Sequence, residues 1–281
     1  MAFVMKEKQP LLRLEEICYS YPRGGRPALQ DITVNICAGE RIAVLGGNGA
    51  GKSTFFLCCN GVAPPTKGQI YLEGNKIGRS SAELRKLRSS VGLVFQDPDA
   101  QMIAATVEEE VAFGPLNLRW ALPDVKQATH EALEAMGLKE FCRRAPYELS
   151  GGEKKRVSIA DILAMKPRVI LLDEPTAALD CAHAGLLEET LVKLEEQGMA
   201  LLISTHDVDF AWRWAQRGLV LCDGKLIADA PIEDVFEDEA LLQKAGLGKP
   251  MLLETARLVL PKGRMPRTLA ELKQRLEEQK K

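Results

Sequence analysis

Residues Gly46–Thr54 read GGNGAGKST, and this short stretch decides the fold class. It contains the pattern G-x-x-x-x-G-K-S, directly after the apolar run Arg41–Leu45 and directly before a helical pattern from Lys52 to about Asn60. A glycine-rich turn between a strand and a helix exposes backbone N–H groups that can surround a phosphate. The positive end of the helix dipole lies at the same place. The sequence therefore predicts an α/β fold in which this loop holds phosphate groups.

The residues of this loop have separate expected roles. Lys52 is expected to reach the β- and γ-phosphates of a nucleotide, and the Ser53 hydroxyl to ligate Mg²⁺. A glycine-rich turn with an exposed lysine is the alternative, and the flanking strand and helix patterns weigh against it. The candidate nucleotide-binding residues of the loop are Gly46, Gly47, Asn48, Gly49, Ala50, Gly51, Lys52, Ser53 and Thr54.

A second apolar strand ends in two carboxylates. Val169–Glu174 reads VILLDE, so the acids follow a buried run. Ligands of open α/β sheets bind at the carboxyl edge of the strands. Asp173 is therefore predicted to hold Mg²⁺ through water, and Glu174 to act as the catalytic group that polarises the attacking water. The alternative is a pair of acids that only solvate the end of a strand.

Other patterns outline the rest of the fold. Alternating apolar and polar residues in Leu12–Tyr19 and Ala28–Ile36 predict antiparallel strands. The apolar run Ala200–Ser204 predicts a further buried strand of a parallel sheet. Asp223-Gly224, between two short apolar runs, predicts a tight hairpin turn. The middle of the chain, about 83–165, is richer in helical patterns.

Composition excludes several classes of protein. The 281 residues carry 37 basic and 39 acidic side chains, so no basic footprint for nucleic acid is present. No apolar run approaches the roughly 20 residues that span a bilayer, and Met1–Pro10 lacks the apolar stretch of a signal peptide. The seven cysteines include the adjacent pair Cys58-Cys59 and show no paired or zinc-binding spacing. We expect a soluble, cytosolic chain.

The motifs together resemble the ATPases of ABC transporters. Leu149–Glu153 reads LSGGE and is similar to the LSGGQ signature of that family. The order of motifs also matches: phosphate loop, glutamine, signature, strand carboxylates and histidine. The resemblance covers about 12–230. It implies ATP as the bound nucleotide with Mg²⁺ as its cofactor.

The resemblance assigns further residues. Gln96, in VFQDPD, resembles the Q-loop glutamine, with a catalytic role and a place among the Mg²⁺ ligands beside Ser53 and Asp173. His206, in STHD, resembles the switch histidine that contacts the γ-phosphate. Ala178-Leu179-Asp180 resembles the D-loop. Tyr21 lies where the family keeps an aromatic residue that stacks on adenine, with Tyr19 as the alternative.

The signature has a physical interpretation of its own. Ser150 can cap a helix that begins at Gly151-Gly152, which offers N–H groups to a second phosphate site. One chain has only one γ-phosphate site, so this helix end indicates a partner chain. In the family, two ATP molecules lie between the phosphate loop of one subunit and the signature of the other. The partner is expected to be a second copy or a paralogous ATPase, and the complete motifs favour a homodimer.

Two positions depart from the family pattern. Glu153 replaces the usual glutamine of the signature, and its carboxylate is expected to point away from the nucleotide. Cys181 replaces the usual proline after the D-loop. Neither change removes a catalytic group, so we expect activity to be retained.

The sequence also resembles one branch of the family. Val91–Leu118 resembles the ATPases of energy-coupling factor importers, and the stretches LSGGEKKRVSIADILAMKP, THDVDFAWRWA and LLQKAGLGKP resemble the cobalt/nickel branch. This implies a transmembrane coupling subunit and a substrate-binding membrane subunit as partners, at the cytoplasmic face of the cell membrane. The acids Glu108, Glu109 and Glu110 are candidate partners for arginines of a coupling helix; a solvated helix start is the equally weighted alternative.

The implied architecture is α/β: a P-loop NTPase (RecA-like) core with an antiparallel β subdomain, an inserted α-helical signature subdomain and a short C-terminal helical extension. We expect the ATP-binding domain at 11–230, its helical subdomain at about 85–165, and the extension at 231–281. An importer of vitamins remains open as an alternative. An ATPase acting on DNA or ribosomes and a regulatory module without turnover are further alternatives; coiled-coil insertions and basic arms are missing, and Glu174 and His206 are intact.

Overall fold

A computed structural model describes residues 9–22, 25–176, 179, 181–261 and 263–279, with the backbone alone for 181–183. The strands in these ranges are β1 Leu12–Tyr19, β2 Leu29–Ile36, β3 Arg41–Leu45, β4 Lys67–Leu72, β5 Asn75–Ile77, β6 Val91–Val94, β7 Val169–Asp173, β8 Ala200–Ser204, β9 Arg217–Cys222 and β10 Lys225–Pro231. The α-helices are α1 Lys52–Asn60, α2 Ser81–Ser90, α3 Val107–Asn117, α4 Leu122–Ala135, α5 Gly151–Ala164, α6 Cys181–Glu196, α7 Val208–Trp214, α8 Ile232–Glu237, α9 Glu239–Ala245, α10 Met251–Val259 and α11 Leu269–Glu278.

The larger sheet has the order β10-β9-β3-β8-β7-β6, with five parallel strands and the antiparallel edge strand β10. Strands β7 and β8 are buried along their whole length, as the continuous apolar runs predicted. Ser204 pairs with Asp173 on one side and with Val44 on the other. Strands β3, β7 and β8 therefore end at one edge, where the phosphate loop, the two acids and His206 follow them.

The smaller sheet has the order β2-β1-β4-β5 and is antiparallel. The buried residues alternate along β2, so the prediction of antiparallel strands from alternation is confirmed. The hairpin between β9 and β10 is also confirmed. Asp223 and Gly224 have φ values of 50° and 75°, as a turn with two left-handed residues requires.

Helices α3, α4 and α5 pack on one another within the segment expected to be the helical subdomain. Val111, Leu133 and Val157 are buried in the core shared by these helices and the larger sheet. Strand β6 also falls within 85–165, but it pairs with β7 in the larger sheet. The three helices that pack on one another, α3, α4 and α5, therefore follow β6, whereas α2 precedes it.

The C-terminal extension packs on the body of the protein. Ile232 and Phe236 of α8 are fully buried in the main core, and Leu272 of α11 is buried as well. The Trp212 Nε1–H group donates a 3.0 Å hydrogen bond to the Pro266 carbonyl. These contacts agree with the interpretation that the tail packs on its own domain. Within the described ranges, no helix is both long and apolar enough to cross a membrane.

Candidate active site

At two positions of the phosphate loop, Gly46 and Gly51, a side chain would clash with neighbouring backbone. Gly46 has a φ of 144°, and a Cβ atom there would lie 2.2 Å from the Leu221 carbonyl oxygen. Gly51 has a φ of 108°, and its Cβ would lie 2.9 Å from the Ala28 carbonyl oxygen. The backbone can therefore bend this sharply against β9 and the start of β2 only because both side chains are missing.

Helix α1 begins at the loop with its N-terminus open. Gly51 is the N-cap residue, and no side chain caps the first N–H groups. The Lys52 ammonium lies back over the loop and donates to the carbonyls of Gly46 and Gly47, at 2.7 and 3.2 Å. Uncapped N–H groups, a helix N-terminus and a cation thus face the same space, which suits a polyphosphate.

Ser204, which the sequence analysis did not single out, holds both strand-end acids. Its fully buried hydroxyl donates to Asp173 Oδ1 and accepts a 3.1 Å hydrogen bond from the Glu174 N–H group. Glu174 has a φ of 46°, in the left-handed region that non-glycine residues rarely adopt. Such strain is common at functional sites.

His206 lies against the second of these acids. Its Nδ1 atom is 2.9 Å from Glu174 Oε2. The imidazole is 76% exposed, whereas the Glu174 side chain is only 11% exposed. The histidine therefore covers a carboxylate that is otherwise enclosed by protein.

These residues line one cleft of about 700 Å³. Its lining, with Ala28 at the rim, includes the following predicted residues: Tyr21, Asn48, Gly49, Ala50, Gly51, Lys52, Ser53, Thr54, Gln96, Asp173, Glu174 and His206. Gly46 and Gly47 contribute the carbonyls that receive Lys52. The structure therefore brings the predicted loop, carboxylates, glutamine and histidine together.

Tyr21 is the aromatic residue of the cleft. Its hydroxyl oxygen lies 3.0 Å from Thr54 Oγ1, and its side chain is half exposed. Tyr19, the alternative, is not among the cleft-lining residues that the structure describes; its ring meets the Tyr21 ring edge-on, with centroids 5.1 Å apart. Tyr21 is therefore the aromatic ring that lines the cleft, and Tyr19 packs against it edge-on.

The donor set of the cleft fits a hard divalent cation. Ser53 offers a hydroxyl, Gln96 an amide oxygen and Asp173 a carboxylate, and all three line the same cleft. Mg²⁺ prefers oxygen ligands and usually shares them with substrate phosphates. These residues could hold Mg²⁺ beside a bound triphosphate.

The signature residues lie elsewhere on the chain. Ser150, Gly151 and Gly152 are absent from the lining of the cleft, within the described residues. Ser150 caps α5, and the Ser150 N–H and hydroxyl groups both donate to the Glu153 carboxylate. These bonds keep the pKa of Glu153 below its ordinary value. The Glu153 carboxylate is therefore part of the N-terminal cap of its own helix, α5.

Part of the D-loop lies outside the described residues. Ala178 and Asp180 are not described, and neither is the side chain of Cys181.

The three acids at the start of α3 have different environments. Glu110 is buried and accepts hydrogen bonds from the Ile103 and Ala104 N–H groups, at 2.8 and 2.6 Å. Glu109 caps its own helix through Thr106. Only Glu108 is exposed without such a contact within the described residues. Two of the three acids therefore stabilise the local fold.

Lys155 is the second residue that the sequence analysis missed. It is 1% exposed, and its ammonium bonds to backbone carbonyls beside Gln96 and Asp173. Burial lowers its pKa to about 8, although the carboxylates of Asp173 and Glu174 act in the opposite direction. In the sequence it belongs to the charged run EKKR, which is typical of a solvated helix face.

Comparisons with known proteins show the family of the chain. A profile described as ABC transporter matches residues 29–177. The chain is 45% identical over 269 residues to the energy-coupling factor transporter ATP-binding protein EcfA2 of Methanospirillum hungatei, covering 94% of this chain and 67% of that protein. It is 42% identical over 256 residues to EcfA of Methanocaldococcus jannaschii, covering 91% of each chain.

Solved structures show the same fold. The structure of cbiO1 from Clostridium perfringens, described as part of the ABC transporter complex cbiONQ, matches with a TM-score of 0.73 at 36% identity, over 84% of this chain and 94% of that chain. A dimeric ATP-binding cassette in a post-hydrolysis state, bound to ADP and phosphate, matches with a TM-score of 0.72 at 31% identity, over 79% of this chain and 98% of that chain.

Proposed function

This chain belongs to the ABC transporter ATP-binding proteins of the energy-coupling factor type, and from that premise we propose that it powers the import of cobalt or nickel ions. As a member of this family it is the ATP-hydrolysing subunit of a transporter. The observation that carries the residue assignments is the single cleft shared by Lys52, Gln96, Glu174 and His206.

ATP binds with its phosphates on the glycine-rich loop and its base on Tyr21. The uncapped N–H groups of α1 and the Lys52 ammonium neutralise phosphate charge. The half-exposed Tyr21 ring offers an aromatic face at the rim of the same cleft. Ser53, Asp173 and Gln96 would hold Mg²⁺, which would supply charge stabilisation for phosphoryl transfer.

Hydrolysis uses the two residues that touch each other in the cleft. Glu174 orients the attacking water by accepting a hydrogen bond from it. Ser204 fixes the backbone of Glu174. His206 contacts the γ-phosphate and holds the Glu174 carboxylate. Phosphoryl transfer depends mainly on positioning and electrostatics, which this rigid arrangement supplies.

Two chains close over each ATP. The signature residues Ser150, Gly151 and Gly152 do not line the cleft of their own chain, so they are available to a second chain. The solved relative with bound ADP and phosphate is a dimer. Because the motifs of this chain are complete, we favour a homodimer over pairing with a paralogue. Release of the γ-phosphate removes the charge that holds the closed state, and the dimer opens.

A groove of about 670 Å³ receives a coupling helix of the transmembrane coupling subunit. It lies between α2, β6, α3 and α5, and its lining includes the partly exposed apolar side chains Val62 and Phe113. Asp161 is the acid of this groove. Glu110 does not line this groove, whereas Asp161 does, so Asp161 takes the place of Glu110 as the partner for a coupling-helix arginine.

The rest of the complex follows from this docking. A separate membrane subunit binds the transported ion, and this chain lies at the cytoplasmic face of the membrane as a peripheral subunit. No residue of this chain touches the cargo. The cobalt/nickel assignment is supported by the sequence stretches that resemble that branch.

The experiment that tests this function is uptake by cells that produce the complex with either the parent chain or Glu174→Gln. Cobalt, nickel and a panel of vitamins are supplied in parallel as labelled substrates. We expect uptake of cobalt or nickel to require the parent chain. Loss of vitamin uptake alone would replace the ion by a vitamin as cargo. Equal uptake of every substrate with both chains would contradict a transport function.

A further inference from the structure

Lys155 places a buried ammonium group beside the active site. Its Nζ atom lies 2.7 Å from the Phe95 carbonyl oxygen, 3.1 Å from that of Gln96 and 3.4 Å from that of Asp173. An ammonium has three N–H donors, and here each has a carbonyl acceptor. Two of these acceptors, Phe95 and Gln96, are 60 and 59 residues away in the sequence. The third, Asp173, is 18 residues away and ends β7.

A buried ammonium group needs contacts that offset its loss of hydration. Removing an ammonium from water costs several kcal/mol unless hydrogen bonds and opposite charge offset the loss. Phe95 directly follows β6, and Asp173 is the last residue of β7. At these two residues the pairing between β6 and β7 has stopped. Lys155 therefore satisfies carbonyls that the sheet leaves available at its carboxyl edge.

The three elements that meet at Lys155 are those that must act together in the proposed mechanism. Gln96 and Asp173 supply two of the three oxygen donors proposed for Mg²⁺, and Lys155 lies near the beginning of α5, the helix that Ser150 caps. Building on the proposed function, we propose that Lys155 is a positioning residue. It ties the signature helix to Gln96 and Asp173, so that the helix and the two oxygen donors move as one unit.

Neighbouring contacts support this connection. Gln101 donates to the Ser158 carbonyl and to Asp161, at 3.1 and 2.9 Å, so the segment after Gln96 is bonded to α5 at a second point. Lys154 forms a third link, a 2.7 Å ion pair with Asp99. This ion pair is far more exposed than Lys155, and solvent screens such pairs. Lys155 is therefore the link that solvent does not weaken.

Lys154 also provides a matched control. Lys155→Met keeps an unbranched side chain, one atom shorter than lysine, and removes the three donors; Lys154→Met makes the same change one residue away. Lys155→Arg retains the charge and the donors. All three changes are made in the full chain, and their thermal unfolding is compared first, so that a folding defect is recognised.

The measurement is the affinity for ATP in EDTA and at increasing Mg²⁺, by equilibrium titration, followed by kcat and KM of the transporter complex. For Lys155→Met we expect unchanged affinity in EDTA, since the phosphate loop is intact. We expect the Mg²⁺ requirement to rise about 10- to 100-fold and kcat to fall with little change in KM. Lys154→Met should stay within about twofold of the parent, as a weak surface ion pair predicts. Lys155→Arg should recover part of the loss.

Two outcomes would overturn the inference. One is a Mg²⁺ dependence of Lys155→Met equal to that of Lys154→Met. The other is an equal loss of affinity with and without Mg²⁺. If Lys155→Met does not fold, Lys155→Arg decides the question: a Mg²⁺ requirement within about tenfold of that of the parent supports the tie, and a larger rise contradicts it. The binding titration does not require transport, so failure of the parent complex to import ions would count against the proposed function alone.

Discussion

The Nδ1 atom of His206 lies 2.9 Å from Oε2 of Glu174, so an exposed imidazole closes the solvent side of a buried carboxylate. The two residues follow the neighbouring strands β7 and β8, whose register pairs Asp173 with Ser204. In the proposed mechanism the same histidine contacts the γ-phosphate. Movement of that phosphate would therefore be transmitted directly to the group that orients the attacking water.

Replacing Glu174 by glutamine should separate ATP binding from ATP hydrolysis. The amide keeps the shape of the side chain but removes the negative charge that polarises water, so we expect turnover to fall by about 10²–10⁴. Nucleotide affinity should be retained, because the phosphate loop is unchanged. Phosphate release and equilibrium ATP binding measure the two effects. Two copies of Glu174→Gln should also associate when ATP is added, by light scattering.

Glu153→Gln is the matched control for that change. It makes the same chemical substitution at a carboxylate that is bonded to Ser150 at the cap of α5. We expect hydrolysis close to that of the parent. Equal rates in the two variants would show that Glu174 is not the group that activates water.

Ser204→Ala should remove a hydrogen-bonding group that positions both acids of the site. The variant leaves the Asp173 carboxylate without its hydroxyl donor in a buried environment, and the Glu174 N–H group keeps only its 3.1 Å hydrogen bond to the Ser204 carbonyl. We expect the free energy of unfolding to fall by about 1–3 kcal/mol and turnover to decrease. Urea unfolding and steady-state hydrolysis measure these effects. Ser81→Ala, on the exposed surface of α2, should change neither; an effect of the same size there would rule out the specific role of Ser204.

Gly46→Ala should destabilise the phosphate loop. The new methyl group would lie 2.2 Å from the Leu221 carbonyl oxygen, and the φ of 144° is unfavourable for alanine. We expect a loss of about 1–3 kcal/mol or more in the free energy of unfolding, measured in urea. At Gly47 the nearest atom to an added Cβ is 3.5 Å away, and φ lies outside the strained range. Gly47→Ala should therefore cost clearly less, and equal losses would contradict this account of the loop.

The sequence predicted the strands that show a clear alternation or a continuous apolar run. The alternation in Leu12–Tyr19 and the apolar runs of β3, β7 and β8 predicted strands that the structure contains. Strand β6 was not predicted, because Val91 follows α2 directly and is also its C-cap residue. Strands β4 and β5 were not predicted either, because only Ile70, Leu72 and Ile77 are buried in them and neither strand contains a continuous apolar run.

The site was predictable where residues adjoin a motif and not where they act across the fold. The cleft contains most of the predicted loop, together with both acids, because each follows the end of a strand. Ser204 lies 31 residues from Asp173, and Lys155 lies 60 residues from Phe95. Their partners depend on the register of the parallel sheet and on the packing of α5, which no local pattern encodes. A serine at the end of an apolar strand and a lysine in a charged run both have ordinary solvated interpretations.

Asp161 should make stability decrease with rising pH. Burial raises the pKa of its carboxyl group to about 7, and Glu110 acts in the same direction, while the hydrogen bond from Gln101 lowers it. Arg85 and Arg88 line the same groove. An ordinary aspartate has a pKa of about 4, so the folded state binds the proton more tightly than the unfolded state. The free energy of unfolding should therefore fall as the pH rises from about 4 to about 7, and then level off.

The difference between the parent chain and Asp161→Asn isolates this contribution from all other titrating groups. Urea unfolding at pH 5 and at pH 8 gives the free energy of unfolding of both chains. Between these pH values it should fall further in the parent than in Asp161→Asn, because asparagine does not ionise. Parallel pH dependence in the two chains would show that the carboxyl titrates normally. A cationic side chain docked in the groove would favour the ionised form. Binding of an arginine-bearing coupling-helix peptide should therefore release a proton near pH 6, and should tighten as the pH rises through that range.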